Sequence, residues 1–273
     1  MIDIGANLLN PVFDADRQEV LRRAGTAGVD AIVLTGTNVS SSRAAADFAS
    51  RQRIGDTGAA GESSHRPCLF ATAGIHPHEA TAVETGWDHD IANLADRPEV
   101  VAIGETGLDY YRDFSPRDEQ RAVFRRQVEL AVRLEMPLFV HDRDSGGDTR
   151  GILADYRHDL AACAIHCFTG TAADLAGYLD DGFHIGITGW ICDERRGRQL
   201  MELVRQIPAD RLMIETDAPY LLPRNIVPRP RSRRNEPAFL SWVAQRVARC
   251  RDEDPVSVQR QTHVNAARFF RLP

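Results

Sequence analysis

Eight short runs of apolar, largely β-branched residues recur along the chain, separated by longer amphipathic stretches. They are Ile2–Ile4, Ala31–Leu34, Leu69–Ile75, Val100–Ile103, Leu138–Val140, Ala162–Ile165, His184–Ile187 and Leu212–Ile214. Short apolar runs that end in Gly, His, Asn, Glu or Asp read as parallel strands buried on both faces. The spacing predicts helices between them. Asp14–Ala27 sets Val20, Leu21 and Ala24 on one face, and Pro116–Leu134 repeats Phe124, Val128, Ala131 and Val132 behind a Ser115–Pro116 start. Thr171–Asp181 and Arg196–Gln206 follow the same logic, and Pro255–Phe270 reads as a final helix with Val258, Val264, Ala267 and Phe270 on its apolar side. Eight β-then-α units in 273 residues predict a closed TIM (β/α)8 barrel, one domain over 1–273. A doubly wound open sheet is the alternative. It fits less well, because polar residues follow nearly every strand instead of gathering at one switch point.

Composition narrows the class. A net charge of −6 with 43% hydrophobic residues excludes a largely disordered chain. A pI near 5.9 argues against a general polyanion-coating protein, so any nucleic-acid contact must be a local basic patch. All 33 basic residues are arginine, each a planar fork able to grip phosphate through two N–H groups. The five cysteines are scattered, with no CxxC pair, which fits a reducing cytosol and neither a disulfide framework nor a structural zinc site. No apolar run approaches the ~20 residues that span a bilayer, and the first residues do not resemble a secretory leader. A cytoplasmic protein without a membrane partner is the expectation. The Gly/Ser/Ala-rich stretch Gly55–Pro67 reads as a surface loop.

Chemistry is expected where the runs end. VVAIGE ends in Glu105, PLFVH in His141, ACAIH in His166 and RLMIETD in Asp217. A barrel turns all such ends to one face, so residues far apart in sequence converge there. Two imidazoles and two carboxylates suit a catalytic divalent ion such as zinc, manganese or magnesium, with positions left open for water and substrate. The chain lacks a GxxxxGK[ST] phosphate loop, a GxGxxG dinucleotide turn and a GxSxG elbow. Cys167, next to a ligand candidate, is expected to point into the barrel wall.

The segments IHPH (Ile75–His78), GETGLDY (Gly104–Tyr110), HDRD (His141–Asp144), HCFTGT (His166–Thr171), GITGWICDERRG (Gly186–Gly197), ETDAPYLLPR (Glu215–Arg224) and SRRNEP (Ser232–Pro237) resemble the TatD family of metal-dependent deoxyribonucleases. The likeness runs in order along nearly the whole chain. It implies an amidohydrolase-type TIM barrel and a 3′ to 5′ exonuclease acting on single-stranded DNA, in some members RNA, with a divalent metal, usually magnesium. By motif it implies Glu105, His141 and His166 as metal ligands. Asp217 becomes an acid able to touch the metal and deprotonate the attacking water. One departure stands out: most relatives carry an H-x-H pair after the first strand, where this chain has Gly5 and Asn7. A second metal is therefore expected to be weak or absent.

Other residues have two readings each. His76 and His78, at i and i+2, line the mouth together if they lie on a strand, with His76 the stronger catalytic candidate and His78 a phosphate contact. The alternative is a rigid His-Pro-His turn with one histidine capping a helix. Arg143 shares the parity of His141 and suits a phosphate fork; an outward ion pair with Asp144 or Asp113 explains it as well. Arg229, Arg231 and Arg233 lie in a proline-broken stretch that suits tracking of a nucleic-acid backbone, or simple solvation. Tyr110, Tyr111, Trp190 and Tyr220 near strand ends can stack on bases, though core packing is the commoner fate. Three functions follow. They are a metal-dependent exonuclease on single-stranded DNA or RNA, a metal hydrolase on another bond such as a D-aminoacyl-tRNA ester, and a catalytically degenerate barrel that only binds nucleic acid. By analogy with other barrels a monomer is expected.

Overall fold

The computed structural model describes residues 1–55 and 66–273, so most of the Gly55–Pro67 stretch lies outside the described residues. The strands are β1 (Ile2–Ala6), β2 (Ala31–Leu34), β3 (Cys68–Ala73), β4 (Val100–Asp109), β5 (Leu138–Arg143), β6 (Cys163–His166), β7 (His184–Ile187) and β8 (Leu212–Ile214). They form one parallel sheet in the order β1 through β8. Strictly sequential order leaves no reversal point, which excludes the doubly wound sheet. Among the described residues the helices are α1 (Arg17–Thr26), α2 (Val39–Gly55), α3 (Trp87–Ala95), α4 (Arg117–Arg133), α5 (Asp148–Ala154), α6 (Ala172–Asp180), α7 (Arg198–Leu203), α8 (Leu240–Arg251) and α9 (Pro255–Phe269).

The seam between β1 and β8 closes the ring through a few bonds. Asp217 N donates to Gly5 O at 2.9 Å, and Asn7 N donates to Ala218 O at 2.7 Å. Beneath them Thr216 N donates to buried Asp3 at 2.8 Å. Burial pushes the Asp3 carboxyl up to about 7 against those hydrogen bonds.

Alternation along the strands sorts the core into two layers. Ile2, Ile4, Ala31, Val33, Ala102, Phe139, Ala164 and Met213 fill the barrel, and Phe269 and Phe270 at the end of α9 pack against them. Their neighbours Ile32, Leu34, Leu138, Val140, Ile165, Leu212 and Ile214 face the helices. Each such buried side chain contributes roughly 1.5–3 kcal/mol. This parity aims His141, two residues after Phe139, and His166, two after Ala164, into the barrel mouth. Val264, placed on the apolar side of α9 by the pattern, is instead 43% exposed. Ser115 is not the α4 cap; its hydroxyl donates to His78 O at 3.1 Å and accepts from Thr81 N at 3.2 Å.

Candidate active site

A cavity of about 940 Å³ opens at the carboxyl ends of the strands and is lined by His76, Glu105, His141, His166 and Asp217. That is the face where catalytic groups of this fold collect. At its floor one carboxylate oxygen, Glu105 Oε1, meets three imidazoles. His166 Nε2 lies 2.7 Å away, His141 Nδ1 3.2 Å and His76 Nε2 3.3 Å. Burial opposes ionisation of Glu105, but His166 and His76, with hydrogen bonds from His141 and His166, hold its carboxyl well below the usual range. Burial also works against protonated His141, yet the Asp109 and Glu105 carboxylates raise it to about 9. His166 is raised well above its ordinary value by Glu105 and Glu215, likewise against burial.

Glu105 reaches the floor through a break in register. Ala102 faces into the barrel, so strict alternation turns Gly104 inward and Glu105 out. The pairing of β4 with β5 shifts between Ile103 and Thr106, which swings Glu105 inward. The strand does not end there, as the apolar run suggests, but continues to Asp109. Gly107 permits this: its φ is +133°, and a Cβ there would lie 1.9 Å from His141 O.

Asp109 is a residue the sequence reading missed. Its Oδ2 lies 2.9 Å from His78 Nε2 and 3.2 Å from His141 Nε2. Despite burial, these hydrogen bonds lower its carboxyl far below the usual carboxylate range. The signal was the spacing Glu105, Gly107, Asp109 on one strand. Two buried glutamines of α4 brace this region. Gln120 Oε1 accepts from Asp109 N at 2.9 Å, and Gln127 Oε1 accepts from Ile75 N at 2.7 Å.

His76 and His78 are not on a strand, which corrects the shared-face argument. β3 stops at Ala73, and His76 caps a 3-10 turn, Pro77–Ala82, its Nδ1 accepting from His78 N at 3.1 Å. The rigid-turn reading is the observed geometry, and the same turn still delivers His76 Nε2 to Glu105. Burial lowers the His76 imidazole, partly offset by Glu105. The ligand atoms of His76, Glu105 and His141 all lie within 4.8 Å of one another. A nitrogen–oxygen donor set this close fits a divalent cation.

At the β8 end, Asp217 takes φ +53° and its Oδ1 accepts from Asn7 Nδ2 at 3.0 Å. Burial, with some opposition from His166, pushes its carboxyl up to about 8. Glu215 is fully buried: its Oε2 lies 3.3 Å from His166 Nδ1, and its Oε1 accepts from Cys167 N. A Cβ on Gly5 would lie 2.5 Å from Glu215 Oε2, and one on Gly186 2.7 Å from Oε1. Glu215 thus occupies the space beside Gly5. Cys167 lines the cavity with a φ of +46°, and burial raises its thiol well above the usual value.

The arginines divide. Arg143 lines the cavity, its guanidinium 4.3 Å from the Tyr111 ring centroid, and pairs with neither Asp144 nor Asp113 among the described residues. Arg229, Arg231 and Arg233 are exposed and do not line it. Arg224 binds Glu194 at 2.8 Å, and Arg234 binds Asp16 at 2.7 Å. The other cavity arginines are Arg112 and Arg196.

Acid and imidazole groups converging at the carboxyl end of a (β/α)8 barrel form a site of the kind that metal-dependent hydrolases use. Solved structures agree on the fold. A hydrolase of the TatD family from Entamoeba histolytica superposes with a TM-score of 0.88 at 24% identity, covering 100% of this chain and 98% of that one. The TatD homologue YJJV of Escherichia coli gives 0.86 at 24%, with the same coverage. Residues 2–271 match the family described as TatD related DNase, and the chain belongs to that family. Among relatives, the 3′-5′ ssDNA/RNA exonuclease TatD of Erwinia billingiae is 46% identical, covering 100% of both chains. The enzyme of that name from Salmonella typhimurium is 43% identical over 100% of this chain and 99% of its own.

Proposed function

We propose that this protein is a metal-dependent 3′-5′ exonuclease that hydrolyses phosphodiester bonds of single-stranded DNA or RNA. The observation that carries the reading is the meeting of Glu105 with three imidazoles on a cavity floor, in a chain 43–46% identical to exonucleases. Glu105, His141, His166 and Asp217 are the residues that would hold the metal, magnesium first, zinc or manganese otherwise; the geometry adds His76. A divalent cation there supplies positive charge against the non-bridging oxygens of the scissile phosphate.

The chain's own groups do the rest. Asp217, aimed by Asn7, takes the proton from the attacking water. Glu215 fixes the ring of His166 through Nδ1, as a carboxylate behind a ligand histidine does. His78, steadied by Asp109, gives a proton to the departing oxygen. Arg143 holds a phosphate oxygen, and Arg229, Arg231 and Arg233 meet phosphates beyond the cavity. Five free cysteines fit a reducing cytoplasm, and no described helix is long and apolar enough to cross a membrane.

The test is a 5′-labelled single strand incubated with protein reloaded with magnesium or manganese. Stepwise shortening from the 3′ end, stopped by chelator, is the expected result. An intact strand with hydrolysis of an aminoacyl-tRNA ester would replace this reading with a deacylase, and a retarded but uncut strand would leave a binding protein.

A further inference from the structure

One wall of the cavity carries, around Arg143, side chains that bond cleavage itself does not use. Arg112, Tyr111, Arg143, Trp190 and Arg196 stand together there, with arginines close to both rings. The Arg143 guanidinium lies 4.3 Å from the Tyr111 centroid and 5.8 Å from that of Trp190. Arg196 covers Trp190 at 4.7 Å, and Arg112 lies 5.7 Å from Tyr111. The members come from the turn after β4, the end of β5 and the segment after β7, so only the closed barrel assembles them. All five line the cavity that holds Glu105.

Charge and exposure separate this stack from ordinary packing. Arg196 is neutralised by Asp193 at 3.1 Å, whereas Arg112 and Arg143 enter no ion pair among the described residues. Tyr111 is 59% exposed, and Phe114, which also lines the cavity, 68%, although large rings gain most from burial. A guanidinium stacked on a ring spends its face and keeps its N–H edge for an oxyanion. An exposed ring beside a guanidinium that enters no ion pair among the described residues matches one nucleotide of a single strand, base on ring and phosphate on guanidinium. A duplex end must first unpair and unstack a base, at a cost of about a few kcal/mol that a single strand does not incur.

We propose that Tyr111, Arg143 and Trp190 form a nucleotide subsite that grips an unpaired base and its phosphate next to the residue being removed, and so selects single-stranded 3′ ends. This rests on the nuclease reading above and deepens it. The subsite works by base stacking, and it is separable from the charge of the Arg229–Arg233 loop.

The experiment uses metal-loaded protein and 5′-labelled oligothymidylates carrying one abasic residue at successive positions from the 3′ end. With the wild type, kcat/KM falls about tenfold when the abasic residue stands at one position near the end. Tyr111→Ala loses a similar factor on the intact strand and no longer distinguishes the abasic one, while Tyr111→Phe keeps the distinction. A Tyr111→Ala protein that retains the full abasic penalty would overturn the subsite, as would a wild type indifferent to an abasic residue at every position. Trimming by the wild type in those cases leaves the nuclease reading standing; a wild type that trims no strand sinks both. Tyr111 is exposed enough for its truncation to spare the fold, and a thermal melt of each variant confirms that.

Discussion

Glu105 Oε1 and His166 Nε2 stand 2.7 Å apart although 61 residues separate them, and the same oxygen faces His141 and His76. Glu105→Gln keeps the shape of this contact and removes its charge. If the group holds the metal, hydrolysis falls by about three orders of magnitude, the equivalent of roughly 4 kcal/mol of charge stabilisation. Single-turnover trimming with saturating metal measures it, with circular dichroism as the control for folding. Retention of a tenth of the wild-type rate would remove Glu105 from the ligand set.

Metal affinity should rise with pH. In the metal-free protein Asp217 holds its proton up to about 8 and His141 up to about 9. Each proton must leave before its group coordinates, so binding releases protons and tightens between pH 6.5 and 8.5. Calorimetric titration with manganese in buffers of different ionisation enthalpy counts those protons. An affinity flat across that range would mean that neither group is a ligand.

His184 makes a separate prediction about stability. Burial first, and then Arg211, lowers its imidazole from 6.5 to about 4. The unfolded chain takes up the proton as pH falls through about 6.5, and the folded protein only near 4. Stability from this group is therefore complete above 6.5 and lost progressively down to 4. Allowing for partial solvent screening, the loss is about 1–3 kcal/mol. Urea midpoints at pH 7 and 5 should show His184→Leu gaining on the wild type at the lower pH; a constant difference would contradict the assignment.

Gly5 bears on the missing H-x-H pair. Its added Cβ would press on Glu215 Oε2 at 2.5 Å and on the Phe139 ring at 3.3 Å. Gly5→Ala should cost about 1–3 kcal/mol and impair hydrolysis by displacing Glu215 from His166. Gly5→His alone should not create a second metal site. Bound-metal analysis of that variant showing a second equivalent, with unimpaired stability, would disprove the packing argument.

The exposed loop arginines should matter in proportion to strand length. Replacing Arg229, Arg231 and Arg233 with Ala should flatten the salt dependence of binding for a 20-mer, by up to about 2 in the log–log slope. A trinucleotide held inside the cavity should show no change. Equal effects on both lengths would move the loop into the cavity, and no effect on either would remove it from the substrate path.

Much of the site was legible because a parallel barrel converts sequence parity into direction. Phe139 and Ala164 point inward, so His141 and His166 do too, and Met213 carries Glu215 with it. Glu105 defied parity, since a register shift after Ile103 reverses the alternation, and no local pattern announces where two strands slip past each other. Asp109 was hidden for a related reason: two glycines read as the end of a strand that tertiary pairing carries on through them.

Taken alone, the order of apolar runs determined an eightfold barrel and the face where chemistry collects, because burial on both sides of a strand leaves a mark in every run. The seating of His76 by a turn, the inward swing of Glu105 and the stack of Arg143 on Tyr111 were decided only in three dimensions. Those contacts join segments distant along the chain, and their geometry depends on how the barrel closes rather than on any neighbouring residue.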